Sequence, residues 1–124
     1  MAETVPKRGE IYSVDFGKMT TAEIGKVRPA LIIQNNLGNQ YSPTTIVAAI
    51  HEVDETKDLP VCVLIKKGVG GLTKDSVIDV GHLLTIDKKR LGEKWGEIPP
   101  QIQQEVDKAL KVSLDLRERK QHDY

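Results

Sequence analysis

With 124 residues, 39% of them hydrophobic and 29% charged, the chain has the composition of one globular domain and leaves no room for a second core. Lys and Arg together number 18, as do Asp and Glu, a balance that excludes long duplex binding through many phosphate contacts but permits a local basic cleft. The apolar stretches, such as Ile46 to Ile50 and Val61 to Ile65, are far too short to cross a bilayer, and the N-terminus lacks a signal-peptide core, so the expected location is the cytoplasm.

In chain order, Glu10 to Phe16 reads as a strand stopped by Gly17, and the polar segment Lys18 to Lys26, with its turn former Gly25, reads as a flexible loop. Ala30 to Ile33 is a continuous apolar run, hence a buried strand, and Asn35, Asn36, Gly38, Asn39, Ser42 and Pro43 form the turn after it. Thr44 to Ile50, Val61 to Ile65, Ser76 to Val80 and Leu83 to Ile86 are further short strands rich in β-branched residues. Strands so closely spaced predict a strongly curved antiparallel sheet or a small barrel, because a parallel sheet would need long crossovers.

Cys62, the only cysteine, sits between Val61 and Val63 and reads as a packing residue. Lys88 to Leu91 predicts a short helix with its basic residues exposed, and Lys66-Lys67 ahead of Gly68, Gly70 and Gly71 reads as a solvated hairpin end. Pro99 and Pro100 can open a helix, and Ile102, Val106, Ala109, Leu110 and Leu114 then recur at three- and four-residue spacing, which predicts one apolar face packed on the sheet. One domain over residues 1–116 and a polar tail over 117–124 are expected.

Lys7-Arg8-Gly9-Glu10-Ile11-Tyr12, Gly25-Lys26-Val27-Arg28-Pro29-Ala30, Ile33-Gln34-Asn35 and Ser42-Pro43-Thr44-Thr45-Ile46-Val47-Ala48-Ala49-Ile50 together resemble the MazF/PemK/Kid family of toxins. The likeness continues through Leu59-Pro60, Asp75-Ser76-Val77-Ile78 and Thr85-Ile86-Asp87 into the final helix. It implies an SH3-like antiparallel barrel with a C-terminal helix, paired as a homodimer, with single-stranded RNA held in a groove along the dimer interface. It also implies metal-independent endoribonuclease activity and a cognate antitoxin whose acidic, disordered tail fills the same groove.

Such cleavage uses the RNA's own 2′-OH as nucleophile on the adjacent phosphate and leaves a 2′,3′-cyclic phosphate. A group must take the 2′-OH proton, another must hold the negative charge on the phosphate, and the leaving oxygen must gain a proton. By residue type alone Arg28 reads first as an ordinary salt-bridge partner; the resemblance reverses this and makes it the chief catalytic residue, its planar fork holding two phosphate oxygens. Where relatives usually carry a threonine or serine after Ala-Ala-Ile, this chain has His51. An imidazole is a better proton-transfer group than a hydroxyl, so His51 is read as base or acid, against a solvent-facing histidine at a strand end.

The resemblance also places Glu23, Asn35 and Pro60 along the RNA groove, the first two reading base edges and the third offering an apolar surface for stacking. Gly81-His82-Leu83-Leu84 departs from the Glu-Gln-Ile-Arg of close relatives, so the cut sequence cannot be transferred; His82 is a further candidate for RNA contact. The histidines at 51, 82 and 122 lack a local metal-ligand spacing, and there is no Gly-Lys-Ser/Thr phosphate loop, so neither metal nor cofactor is expected. Two other readings remain: a gyrase-directed binder of the related CcdB type, without catalysis, and a degenerate member that binds RNA or antitoxin but cuts poorly.

Overall fold

The computed structural model describes residues 4–17 and 27–117. Six strands lie within them: β1 (Glu10–Asp15), β2 (Val27–Ile32), β3 (Thr44–Glu52), β4 (Cys62–Ile65), β5 (Ser76–Asp87) and β6 (Leu91–Glu97). They form one sheet in the order β4-β5-β3-β2-β1-β6, and each neighbouring pair is antiparallel. Two α-helices complete the fold, α1 (Asn36–Tyr41) and α2 (Pro100–Ser113).

The sheet is antiparallel and followed by a C-terminal helix, as expected, but it is open where a closed barrel was expected. Strands β4 and β6 are its two edges and share no ladder. The short 3-10 turn Val69–Gly71 packs against β6 instead. That contact needs glycine on both sides: a Cβ on Gly71 would lie 2.1 Å from the Trp95 carbonyl oxygen, and one on Gly96 would lie 2.7 Å from the Gly70 carbonyl. Gly70 and Gly71 thus form a close seam with β6, while Lys66, Lys67 and Gly68 before them are exposed, as expected of a solvated turn. With φ of +81° at Gly71 as well, Gly71→Ala is expected to destabilise the fold by roughly 2–4 kcal/mol. An unchanged urea midpoint would refute this account of the seam.

Period-two alternation assigns side chains to the two faces of the sheet. Ile11, Leu31, Ala48 and Ile50 point into one core with Ile78 and with Val106 of α2, while Tyr12, Val14, Phe16, Ala30, Ile32 and Val47 fill a second core on the other face. Burial on both faces is why the run from Ala30 is uninterrupted. On α2 the expected stripe is present, with Val106, Ala109 and Leu110 buried, although Leu114 is 53% exposed at the end of the helix. Arg8 ties the segment before β1 to this helix, donating through Nη2 to Asp107 at 2.8 Å and through Nε to the Ile33 carbonyl at 2.8 Å.

Several expected elements change. The two strands expected at Ser76 to Val80 and Leu83 to Ile86 are one, β5, interrupted by a bulge: Ala49 pairs with Asp79 but Ala48 pairs with Leu83. The intervening Val80, Gly81 and His82 bow out of the ladder, with the Gly81 N–H bonded to Asp79 Oδ1 at 2.9 Å. Strand β6 was not anticipated, because Gly92 and Gly96 and the charged residues between them mask its pairing with β1. Likewise α1 replaces part of the turn expected after β2. Lys88 to Arg90 does form a single 3-10 turn, but Lys88 is buried rather than exposed, its Nζ donating to the Asn39 carbonyl at 2.7 Å.

Candidate active site

The site grows from the place where β2 and β3 part. Their ladder pairs Ile32 with Val47, Leu31 with Ala48 and Ala30 with Ala49, and there it stops. The next residue of β2 is Pro29, which has no N–H to donate to a ladder. Extending the register by two residues sets Arg28 opposite His51, beyond the last pair of the ladder, and both residues line the same cavities. On their far sides both strands stay anchored, Arg28 paired with Val14 of β1 and His51 with Val77 of β5. A guanidinium and an imidazole therefore project from rigid strands beside a gap.

Two cavities meet there, and Arg28, His51 and Glu52 line both. The larger, about 600 Å³, is bounded also by Phe16, Asp54 and His82; the smaller, about 350 Å³, by Leu72, Lys74 and Trp95. Arg28 is half-buried, with its Nε inside the protein. That burial restricts the guanidinium to a narrow range of directions, as accurate placement of a phosphate requires.

His51 Nδ1 lies 2.9 Å from the Glu52 carbonyl oxygen. A carbonyl only accepts, so Nδ1 carries the proton, and in the neutral ring the lone pair is on Nε2. Asp54 Oδ2 is 3.6 Å from the same Nδ1. The Asp54 carboxyl is held below its ordinary range chiefly by the hydrogen bonds that the Thr56 hydroxyl and N–H donate to it. Glu52 is also held low, first by the hydrogen bond from Lys74 Nζ at 2.6 Å and to a lesser degree by the charge of Arg28. Both carboxylates are therefore ionised at neutral pH.

Arg28, His51 and His82 are brought together, the last carried into the larger cavity by the bulge of β5. Asn35 and Pro60 line neither cavity. Asn35 caps α1, its side-chain oxygen accepting from the Gly38 N–H at 2.8 Å. Pro60 occupies the turn that the Cys62 N–H closes onto the Leu59 carbonyl at 2.9 Å. Glu23 lies outside the described residues. Cys62 also lies away from both cavities, its thiol pushed up first by burial and then by the charge of Asp79, which leaves it a poor nucleophile. Among the described residues no three His, Cys, Asp or Glu side chains converge on a common metal position, and no helix is long and apolar enough to cross a membrane. Sequence reading missed Glu52, Lys74, Trp95 and Phe16, which belong to no local motif and meet Arg28 only in the folded sheet.

Residues 7–114 match the family described as PemK-like, MazF-like toxin of type II toxin-antitoxin system. A relative from Bacillus subtilis (strain 168), Endoribonuclease EndoA, is 42% identical over 112 residues, spanning 90% of this chain and 97% of that protein. The structure of an endoribonuclease from a mycobacterial species superposes with a TM-score of 0.76 at 22% identity, covering 96% of this chain and all of the other. The structure of a mycobacterial endoribonuclease in complex with its cognate antitoxin gives 0.77 at 24% identity over 92% of this chain and 99% of its own; these two likenesses concern the fold. A match over nearly the whole length of the domain, together with the relative in Bacillus, places this chain in the family of PemK-like, MazF-like toxins of type II toxin–antitoxin systems.

Proposed function

We propose that this toxin is an endoribonuclease that cuts single-stranded RNA at the cleft between β2 and β3, without a metal ion, and that Arg28 and His51 carry the reaction. The supporting observation is the placement of a half-buried guanidinium and an imidazole of fixed tautomer on two parted strand ends. Arg28 holds two non-bridging oxygens of the phosphate and offsets the charge that builds there as the 2′-oxygen attacks. His51 Nε2 takes the 2′-OH proton, and the Asp54 carboxylate near Nδ1 faces the positive charge that this proton brings to the ring. The 2′-oxygen bonds to phosphorus and the bond to the 5′-oxygen breaks. The departing oxygen collects a proton from His51 or from water, leaving a 2′,3′-cyclic phosphate and a 5′-OH.

His82 contacts the RNA from the larger cavity. Asn35 and Pro60, which lie outside the two cavities, and Glu23 meet the RNA farther along the groove. The protein works in the cytoplasm as a homodimer whose RNA groove runs along the dimer interface, and its antitoxin inserts an acidic tail into the same groove. Incubating the protein with long single-stranded RNA in EDTA and mapping the fragment ends tests the reading. Discrete fragments ending in 2′,3′-cyclic phosphate are expected; RNA left intact across many sequence contexts would overturn it.

A further inference from the structure

The cavity beside Trp95 plays no part in the cleavage step as described, yet it shares Arg28, His51 and Glu52 with the larger one. A phosphodiester in RNA joins two nucleosides, so a phosphate held at Arg28 presents a base on either side. Two cavities that meet at a single guanidinium match that geometry. Building on the endoribonuclease reading, we propose that the Trp95 cavity is a second nucleobase subsite, receiving the base across the scissile phosphate from the one beside His82.

The chemistry of its walls suits a base. Trp95 is half-exposed and supplies the only indole in the chain, an aromatic face on which any base can stack. Its other side packs on the core through β6, and its backbone is pinned by the seam at Gly71, so the ring is held in place before RNA arrives. Leu72 adds apolar wall, and Glu52 and Lys74 supply a polar edge. The Glu52 carboxylate, kept ionised by Lys74 at 2.6 Å, can accept from an exocyclic amino group of a base.

Charge points the same way. Arg28 and Lys74 face one carboxylate in this cavity, whereas the larger cavity sets Arg28 against Glu52 and Asp54. A polyanionic strand leaving Arg28 is therefore drawn over the Trp95 side, where the ammonium of Lys74 can also meet a flanking phosphate.

The lone tryptophan makes the subsite its own reporter. The probe is a single-stranded oligonucleotide spanning the mapped cut, with a 2′-deoxy sugar at the cut so that it binds without reacting, titrated into the full-length protein while its own anisotropy reports binding. Stacking is expected to quench and shift Trp95 emission in parallel with the anisotropy. In steady-state cleavage of the all-ribose RNA, Trp95→Ala is expected to raise KM about tenfold with kcat largely retained, and Trp95→Phe to recover most of the loss. Because removing the indole also disturbs packing, Lys74→Ala, on a side chain that is two-thirds exposed, provides a second variant; it is expected to weaken binding and lower its salt dependence. Saturated anisotropy with unchanged emission, or unaltered KM in all three variants, would overturn the subsite while leaving the nuclease reading standing. RNA that neither binds nor is cut would remove both.

Discussion

Arg28→Ala is expected to lower the rate of RNA cleavage by roughly 10²–10³-fold in a protein that stays folded. The magnitude is that of removing one principal donor to a developing oxyanion in a site partly shielded from water. The fold should persist because the β1–β2 ladder that carries Arg28 runs through backbone groups, which the substitution leaves intact. Arg28→Lys is the informative control, since an ammonium keeps the charge but cannot bridge two phosphate oxygens in a plane, so most of the loss should persist. Initial rates on one mapped RNA, with circular dichroism melts alongside, make the measurement. A fully folded Arg28→Ala protein cutting within a few-fold of the parent would remove the guanidinium from the mechanism.

His51→Ala carries the second large effect, an expected loss of about 10²-fold or more, the usual share of a positioned general base. Its signature lies in the pH profile. A base works only when unprotonated, so any acid limb that the ring supplies to the rate should be missing from the variant. Neither neighbouring carboxylate can supply the limb near neutrality. Asp54 is held low by its hydrogen bonds from Thr56 and Glu52 by its hydrogen bond from Lys74, so both are already ionised there. An acid limb that survives His51→Ala, or a rate that does not change, would leave the ring a solvent-facing strand end and send the search for the base elsewhere.

The strands that could be read from the chain are those with a one-dimensional signal. Glu10 to Phe16 and Thr44 to Ile50 alternate or cluster apolar residues because their side chains fill the two cores, and α2 shows its buried stripe at helical spacing. The Arg-Pro pair at Arg28-Pro29 was legible through the family resemblance alone, since by residue type an arginine there reads as an ordinary salt-bridge partner. Strand β6 left no such trace, since Gly96, which lies close against Gly70, and Gly92, which lies close against Ser13, remove the apolar pattern that marks a strand. Lys88 misled for the opposite reason, its charge suggesting solvent where the backbone of Asn39 accepts its ammonium in the interior.

The site divides along the same line. Sequence by itself pointed to the family and singled out Arg28 and His51 as candidates, the first inside a short ordered motif and the second directly after one. Tertiary structure decided which candidates share a cavity: Asn35 and Pro60 are occupied by a helix cap and a turn, whereas His82 is swung in by a bulge that no local pattern announces. It alone brought Lys74 from the approach to β5 and Trp95 from β6 to the same guanidinium. Those residues are separated along the chain by tens of positions, and their proximity is set by the strand order of the sheet and by where its hydrogen-bond ladders end, quantities that no short stretch of sequence contains.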